Sequence, residues 1–81
     1  MKLIIRDKAL KDKVTVSAVI KKKDTDILSE GRYIIAGEKV VNRWTDCTIK
    51  QLYNMQQNGA TILTKVEITG QKFWFFTEIE E

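Results

Sequence analysis

Residues 61–80 read TILTKVEITGQKFWFFTEIE, and this stretch decides the predicted fold. Apolar and polar side chains alternate on both sides of Gly70-Gln71, as they do in two strands that each bury one face. A two-residue turn at Gly70-Gln71 brings the apolar side chains together on one side. The opposed pairs are then Ile68 with Phe73, Val66 with Phe75, Thr64 with Thr77, and Ile62 with Ile79. The stretch therefore predicts a β-hairpin with one continuous apolar face.

Upstream of this hairpin, residues 46–58 have the pattern of an amphipathic helix. The apolar stripe consists of Ile49, Leu52, Tyr53 and Met55, and the water-facing side consists of Lys50, Gln51, Asn54 and Gln57. Thr45 is the expected N-cap residue, and Trp44 and Ile49 are placed to form a hydrophobic staple. Asn58-Gly59 is a typical C-terminal stop. We expect this helix to cover the apolar face of the hairpin.

The rest of the chain reads as strands and short connections. Strands are predicted at residues 2–6 and 13–21, a polar connector at 7–12 and a surface loop at 24–31. A second hairpin is predicted at 32–43 around Gly37-Glu38. The order β-β-β-β-α-β-β predicts a single α+β domain over residues 1–81. Its antiparallel sheet has five or six strands, with one helix packed on it; the alternative is a small β-barrel with one helix.

The composition lacks the residues that most catalytic and metal sites require. The chain has no His and a single Cys, and its four Gly are placed at turns and at the helix end rather than in a phosphate-binding loop. Cys47 lies in the predicted first helical turn beside Asp46, with no base available to activate it. We therefore expect no enzymatic activity, no catalytic residues, no cofactor and no metal.

Charge is distributed unevenly along the chain. Residues 1–23 hold eight Lys/Arg against two Asp/Glu, whereas residues 24–81 hold six against nine. A basic segment of this kind is a candidate polyanion-binding site. Its candidate residues are Lys8, Lys11, Lys13, Lys21, Lys22 and Lys23. The alternative is a solvated edge strand, because lysines on an exposed edge oppose aggregation.

Residues 72–76 hold four of the seven aromatic side chains. Strand alternation sends Phe73 and Phe75 to one face of the hairpin, and Trp74 and Phe76 to the other. If the first two strands fold over Trp74 and Phe76, both rings belong to the core. If they do not, the rings form an exposed patch with a charged rim, a typical protein-binding surface. The predicted partner-binding residues are then Trp74, Phe76, Lys65 and Glu67.

These observations favour a small non-enzymatic binding protein in the cytoplasm. Proline is absent and Lys and Ile are abundant, as in AT-rich bacterial and phage genes. The predicted function is therefore that of a phage- or mobile-element-type accessory or inhibitor protein that binds and blocks a larger host protein. The alternatives are a nucleic-acid-binding module of weak affinity, and a self-assembling structural subunit or homodimer. No apolar run approaches the roughly 20 residues that span a bilayer, and none suits a signal peptide, so no membrane association is expected.

Overall fold

The C-terminal hairpin lies at the centre of a six-stranded antiparallel sheet in the computed structural model, which describes residues 1–35 and 41–81. The elements in chain order are β1 (Lys2–Ala9), β2 (Ala18–Lys21), β3 (Ile27–Leu28), β4 (Gly31–Ile35), β5 (Val41–Trp44), β6 (Cys47–Thr48), α1 (Ile49–Gln57), β7 (Ala60–Ile68) and β8 (Gln71–Glu80). The strand order in the sheet is β2-β1-β8-β7-β4-β5, while β3 and β6 form a separate two-stranded sheet. One helix packs on an antiparallel sheet, so the predicted α+β class is confirmed. The sheet is open, with β2 and β5 at its edges, and is not the alternative barrel.

The β7–β8 hairpin keeps the predicted faces but differs from the predicted register by two residues. Phe75 lies opposite Thr64, where Val66 was expected. The turn is formed by Thr69 and Gly70, whose φ angles of 48° and 82° are both positive, as a type I′ turn requires. A shift of two residues leaves every side chain on its original face. The observed register also places Glu67 opposite Lys72, a favourable pair that the predicted register lacks.

Helix α1 covers one face of the sheet, here called the inner face. Leu52 and Ile49 are completely buried and pack in one cluster with inner-facing Phe75 and Ile79. Tyr53 and Met55 are half-buried against the same cluster, so the predicted apolar stripe is confirmed. The Gln56 side chain ties the helix to β8, because Nε2 donates to the Ile79 carbonyl and Oε1 accepts from the Ile79 N–H, both at 3.1 Å.

The helix begins three residues later than predicted. Thr48, and not Thr45, is the N-cap residue: its Oγ1 accepts from the Gln51 N–H at 3.2 Å. Gln51 Oε1 accepts in return from the Thr48 N–H at 2.8 Å, which completes a capping box. The predicted hydrophobic staple between Trp44 and Ile49 is also wrong. Trp44 is the last residue of β5, and a separate strand, Cys47–Thr48, lies between it and the helix and pairs with β3.

The N-terminal strands lie edge to edge in the sheet. β1 pairs with both β2 and β8, and an irregularity between Ile5 and Ala9 gives β1 two more residues than the facing part of β8. The predicted strand 13–21 is shortened to Ala18–Lys21, although Val14 and Val16 still pack against the core. β4 and β5 pair as predicted, with Arg32 opposite Arg43. The predicted Gly37-Glu38 turn lies outside the described residues.

Candidate binding surface

The face of the sheet opposite α1, here called the outer face, carries the candidate site. Among residues 1–35 and 41–81 the only helix is α1, and it packs on the inner face, so no helix of the described chain covers the outer one. The strand registers decide which side chains point outward, because directly opposed residues share a face. The outward side chains of β7 and β8 are Thr61, Leu63, Lys65, Glu67, Lys72, Trp74, Phe76, Glu78 and Glu80.

Trp74 and Phe76 lie next to each other on the outer face at different depths. Phe76 is 42% exposed, whereas Trp74 is half-buried and Phe75 between them is completely buried on the inner face. The first two strands do not fold over these rings: Val14 and Val16 pack against the inner-face cluster that contains Phe75. The reading in which both rings belong to a covered core is therefore wrong for Phe76.

Two cations lie over the ring of Trp74. The Arg32 guanidinium carbon is 4.7 Å from the ring centroid, and the Lys65 ammonium nitrogen is 5.9 Å from it. At these distances both are attracted by the electron-rich face of the indole. Lys65 also pairs with Glu30, and this hydrogen bond lowers the pKa of the Glu30 carboxyl.

A second ion pair lies on the β1 side of the outer face. Arg6 and Glu78 are hydrogen-bonded, which lowers the pKa of Glu78 and raises that of Arg6. Both groups are largely exposed, so solvent screens the pair and its contribution to stability is small. The pair places two charged groups beside Phe76.

The four predicted partner-binding residues share the outer face. Lys65 lies directly opposite Trp74, and Glu67 lies one pair further toward the turn, opposite Lys72. Phe76 lies opposite Leu63. Their shared face follows from strand alternation in residues 61–80 and is unaffected by the two-residue register shift. The opposed pairs are changed by it, because the predicted register has Glu67 opposite Trp74 and Lys65 opposite Phe76.

Sequence reasoning missed the contribution of β4 and β5 to this surface. Arg32 lies opposite Leu63 of β7 on one side and opposite Arg43 of β5 on the other, so all three point outward. Leu63 is 2% exposed although it lies on the uncovered face. The pairing of β4 with β7 joins residues about thirty positions apart, and nothing local in the sequence indicates it.

A cavity of about 300 Å³ opens beside Trp74 on the outer face. Its walls include Leu10 and Asp12 from the segment after β1, and Arg32 and Leu63 from the other side. The Leu10 N–H donates to the Trp74 carbonyl at 2.7 Å, which fixes this wall against β8. The volume is at the lower end of the roughly 300–1,000 Å³ of ligand pockets, enough for a side chain or a small group.

The predicted polyanion-binding lysines do not come together. The pairing of Lys21 with Lys2 places Lys21, Lys22 and Lys23 at the start of β1. Lys8, Lys11 and Lys13 lie near its other end, where the Ala9 N–H donates to the Val14 carbonyl. The length of β1 separates the two groups by roughly 25 Å. The six candidate lysines thus form two separate clusters, and all of them except half-buried Lys22 are exposed.

Cys47 lies in β6, and not in the first turn of the helix as predicted. Burial raises the pKa of its thiol, and the charge of neighbouring Asp46 raises it further. The described parts of the chain contain no group of three or more acidic or Cys side chains placed to hold a metal ion. They also contain no helix that is long and apolar enough to cross a membrane.

No protein-family model matches the chain, and no curated protein or solved structure is significantly similar to it.

Proposed function

We propose that this protein is a non-enzymatic binding protein that recognises a larger protein through the outer face of its sheet. The observation that carries the proposal is the exposed ring of Phe76, next to half-buried Trp74 on a face that no described layer covers. Aromatic side chains surrounded by charged groups are the residues that most often dominate binding energy at protein interfaces. Lys65, Glu67 and Glu78 provide such a rim.

The partner that we propose is a host protein, and the protein itself is an accessory or inhibitor of the phage or mobile-element type. Support for this narrower class comes from the sequence, which is small, free of proline and rich in Lys and Ile. A single small domain with an uncovered face can block a larger protein by occupying its surface. Binding by a preformed sheet face requires little rearrangement, because the outer-facing side chains are held by strand pairing.

Variant-dependent co-purification tests the proposal. Wild-type protein, Phe76→Ser and Ile27→Ser are each used to capture proteins from a bacterial lysate, and the captured proteins are identified by mass spectrometry. Ile27 is a matched control, because it is 65% exposed and lies in β3, away from the outer face. We expect a protein retained by the wild type and by Ile27→Ser, but lost with Phe76→Ser. Equal retention by all three would exclude the outer face as the binding surface.

A nucleic-acid-binding module is the second candidate, and the charge of the outer face favours it. Among the described residues this face carries seven cations, Lys2, Arg6, Lys21, Arg32, Arg43, Lys65 and Lys72, and four carboxylates, Glu30, Glu67, Glu78 and Glu80. Sheet-face aromatics with flanking Arg and Lys can stack bases and hold phosphates. In this case affinity for an oligonucleotide falls steeply with salt, with a slope of about −0.7 per phosphate contacted on a single strand.

Self-association is the third candidate, since the same face could bind a second copy. Sedimentation equilibrium on wild-type protein and Phe76→Ser distinguishes it from the others. A dimer that dissociates in the variant would favour self-assembly, whereas a monomer in both proteins would favour a different partner.

A further inference from the structure

Two outer-face cations that form no ion pair among the described residues, Arg32 and Lys72, lie at the cavity beside Trp74. Arg32, Lys72 and Lys11 line it, together with the single carboxylate of Asp12. Among the described residues none of these three cations forms an ion pair, whereas Arg6 and Lys65 elsewhere on this face already have carboxylate partners. The cavity is therefore an apolar space, with Leu63 and Trp74 in its lining, that has a net positive rim.

Arg32 is positioned to bind a carboxylate. Its guanidinium lies over Trp74, with the carbon 4.7 Å from the ring centroid. A guanidinium held over an aromatic face still has N–H groups available to a planar anion. A carboxylate can accept two of these hydrogen bonds side by side, so Trp74 orients Arg32 for such a ligand.

The pairing of β4 with β5 gives a second, independent indication of an anion. Arg32 lies directly opposite Arg43, and both point outward. Opposed side chains of an antiparallel pair have Cβ atoms about 5 Å apart, and like charges at this position are destabilising. An anion bound near both side chains would offset this repulsion.

We infer that the cavity beside Trp74 takes an apolar side chain from an acidic segment of the partner protein, while Arg32 and Arg43 bind a carboxylate of that segment. This inference rests on the proposed function and specifies the chemistry of the partner. An acidic protein segment fits better than a nucleic acid for two reasons. Arg32 already occupies a face of the Trp74 ring on which a base would stack. Glu67, Glu78 and Glu80 on the same face would repel a continuous phosphate backbone.

An NMR titration with three probes tests the inference on the whole chain. The first probe is a blocked peptide in which one Phe is flanked on both sides by Asp and Glu. The second is the same peptide with every acid replaced by its amide, and the third is an oligothymidylate. Shifts are followed at the Trp74 indole N–H and the Arg32 side-chain N–H. We expect the acidic peptide to shift both signals and to bind about tenfold more tightly than its amide counterpart, as loss of a charge-assisted hydrogen bond implies.

Three variants locate the binding site. Arg32→Gln and Arg43→Gln should each lower the affinity for the acidic peptide by about tenfold. Lys50→Gln removes the same charge from an exposed position on α1, on the opposite side of the sheet, and should leave the affinity unchanged. Arg43 is exposed, so Arg43→Gln tests the inference even if Arg32→Gln perturbs folding.

Several results would overturn the inference. They are equal binding of the acidic and amide peptides, shifts confined to Lys21, Lys22 and Lys23, or binding of the oligothymidylate alone at Trp74. The proposed function fails separately, when capture of the partner is insensitive to Phe76→Ser. If the partner is lost with Phe76→Ser but captured by both arginine variants, the proposed function stands and the inference of an acidic partner segment is refuted.

Discussion

Gly31 and Trp44 are cross-strand partners, and the indole ring of Trp44 occupies the space in which a side chain at position 31 would begin. Trp44 is 3% exposed, and its ring belongs to the same cluster as Leu52 and Phe75. Within the described chain its Nε1 is a buried donor without a hydrogen-bond partner, so the ring is held by packing alone. The absence of a side chain at Gly31 thus allows β5 to anchor the β4–β5 hairpin in the core.

The first prediction follows from this packing. Gly31→Ala should destabilise the protein by about 1–3 kcal/mol or more, because the new methyl group overlaps the Trp44 ring in a filled core. The measurement is the free energy of unfolding from urea denaturation. The double variant Gly31→Ala/Trp44→Phe should lose less free energy of unfolding than the sum of the losses in the two single variants. The difference, which is the coupling energy, should be about 0.5–3 kcal/mol. Strict additivity would show that the two residues do not compete for space.

The second prediction concerns the turn between β7 and β8. Thr69 has a φ of 48°, which is unfavourable for a β-branched residue, and Asn-Gly is the preferred pair in a type I′ turn. Thr69→Asn should therefore stabilise the protein, by up to about 1 kcal/mol, and raise its urea midpoint. If the turn were at Gly70-Gln71, Thr69 would be a strand residue and the same change would lower the midpoint.

The third prediction concerns the helix. Leu52 is completely buried, so Leu52→Ala should cost about 2–5 kcal/mol, whereas exposed Gln57→Ala should be nearly neutral. Thr48→Ala should cost about 1 kcal/mol because it removes the N-cap. Gln51→Ala should also destabilise, since its side chain accepts from the Thr48 N–H, although its sequence pattern indicates only a water-facing position. Equal urea midpoints for the Leu52 and Gln57 variants would contradict the helix orientation.

The fourth prediction separates the two faces of β8. Phe75→Ala should destabilise the domain by about 3–5 kcal/mol, because the ring is completely buried. Phe76→Ser should cost much less, about 1 kcal/mol, because Phe76 is 42% exposed and is not part of the buried core. Thermal unfolding followed by circular dichroism measures both variants. Comparable losses for the two would mean that Phe76 is covered in solution.

The fifth prediction is the pH dependence of Cys47 alkylation. Burial and the charge of Asp46 raise the pKa of this thiol, so the thiolate forms at higher pH than in an unfolded peptide. Iodoacetamide should therefore react slowly at neutral pH, and the midpoint of its pH–rate profile should lie above that of the urea-unfolded chain. Asp46→Asn removes the neighbouring charge and should move the midpoint to lower pH. A native midpoint below that of the unfolded chain would contradict this environment.

The faces of the C-terminal hairpin were predictable because alternation depends only on whether a position is odd or even. The register was not, because it depends on which two residues form the turn. Placing glycine at the first turn position avoids a β-branched residue at positive φ, yet the protein accepts Thr69 there. In the observed register Glu67 lies opposite Lys72, and β8 also pairs with β1. The second of these contacts is long-range and is absent from the local pattern.

The start of the helix had a readable signal that was missed. Residues 48–51 have Thr at the first position and Gln at the fourth, which is the pattern of a capping box. By contrast, the short pairing of β3 with β6 depends on contacts between distant segments. The aromatic half of the candidate site follows from the sequence of β8, whereas Arg32 and Arg43 join it only through the position of β4 beside β7.

β8 is the last strand in the chain, yet it lies between β1 and β7 in the sheet. The hairpin with β7 joins near neighbours in sequence, whereas the pairing of Lys2 with Glu80 closes a loop of nearly the whole chain. Pairings between distant residues form slowly, because the entropy of loop closure is lost before the contacts form. During synthesis, β1 cannot pair with β8 until residues 71–80 have been made. We therefore expect β1 to dock on β8 only after the β7–β8 hairpin has formed.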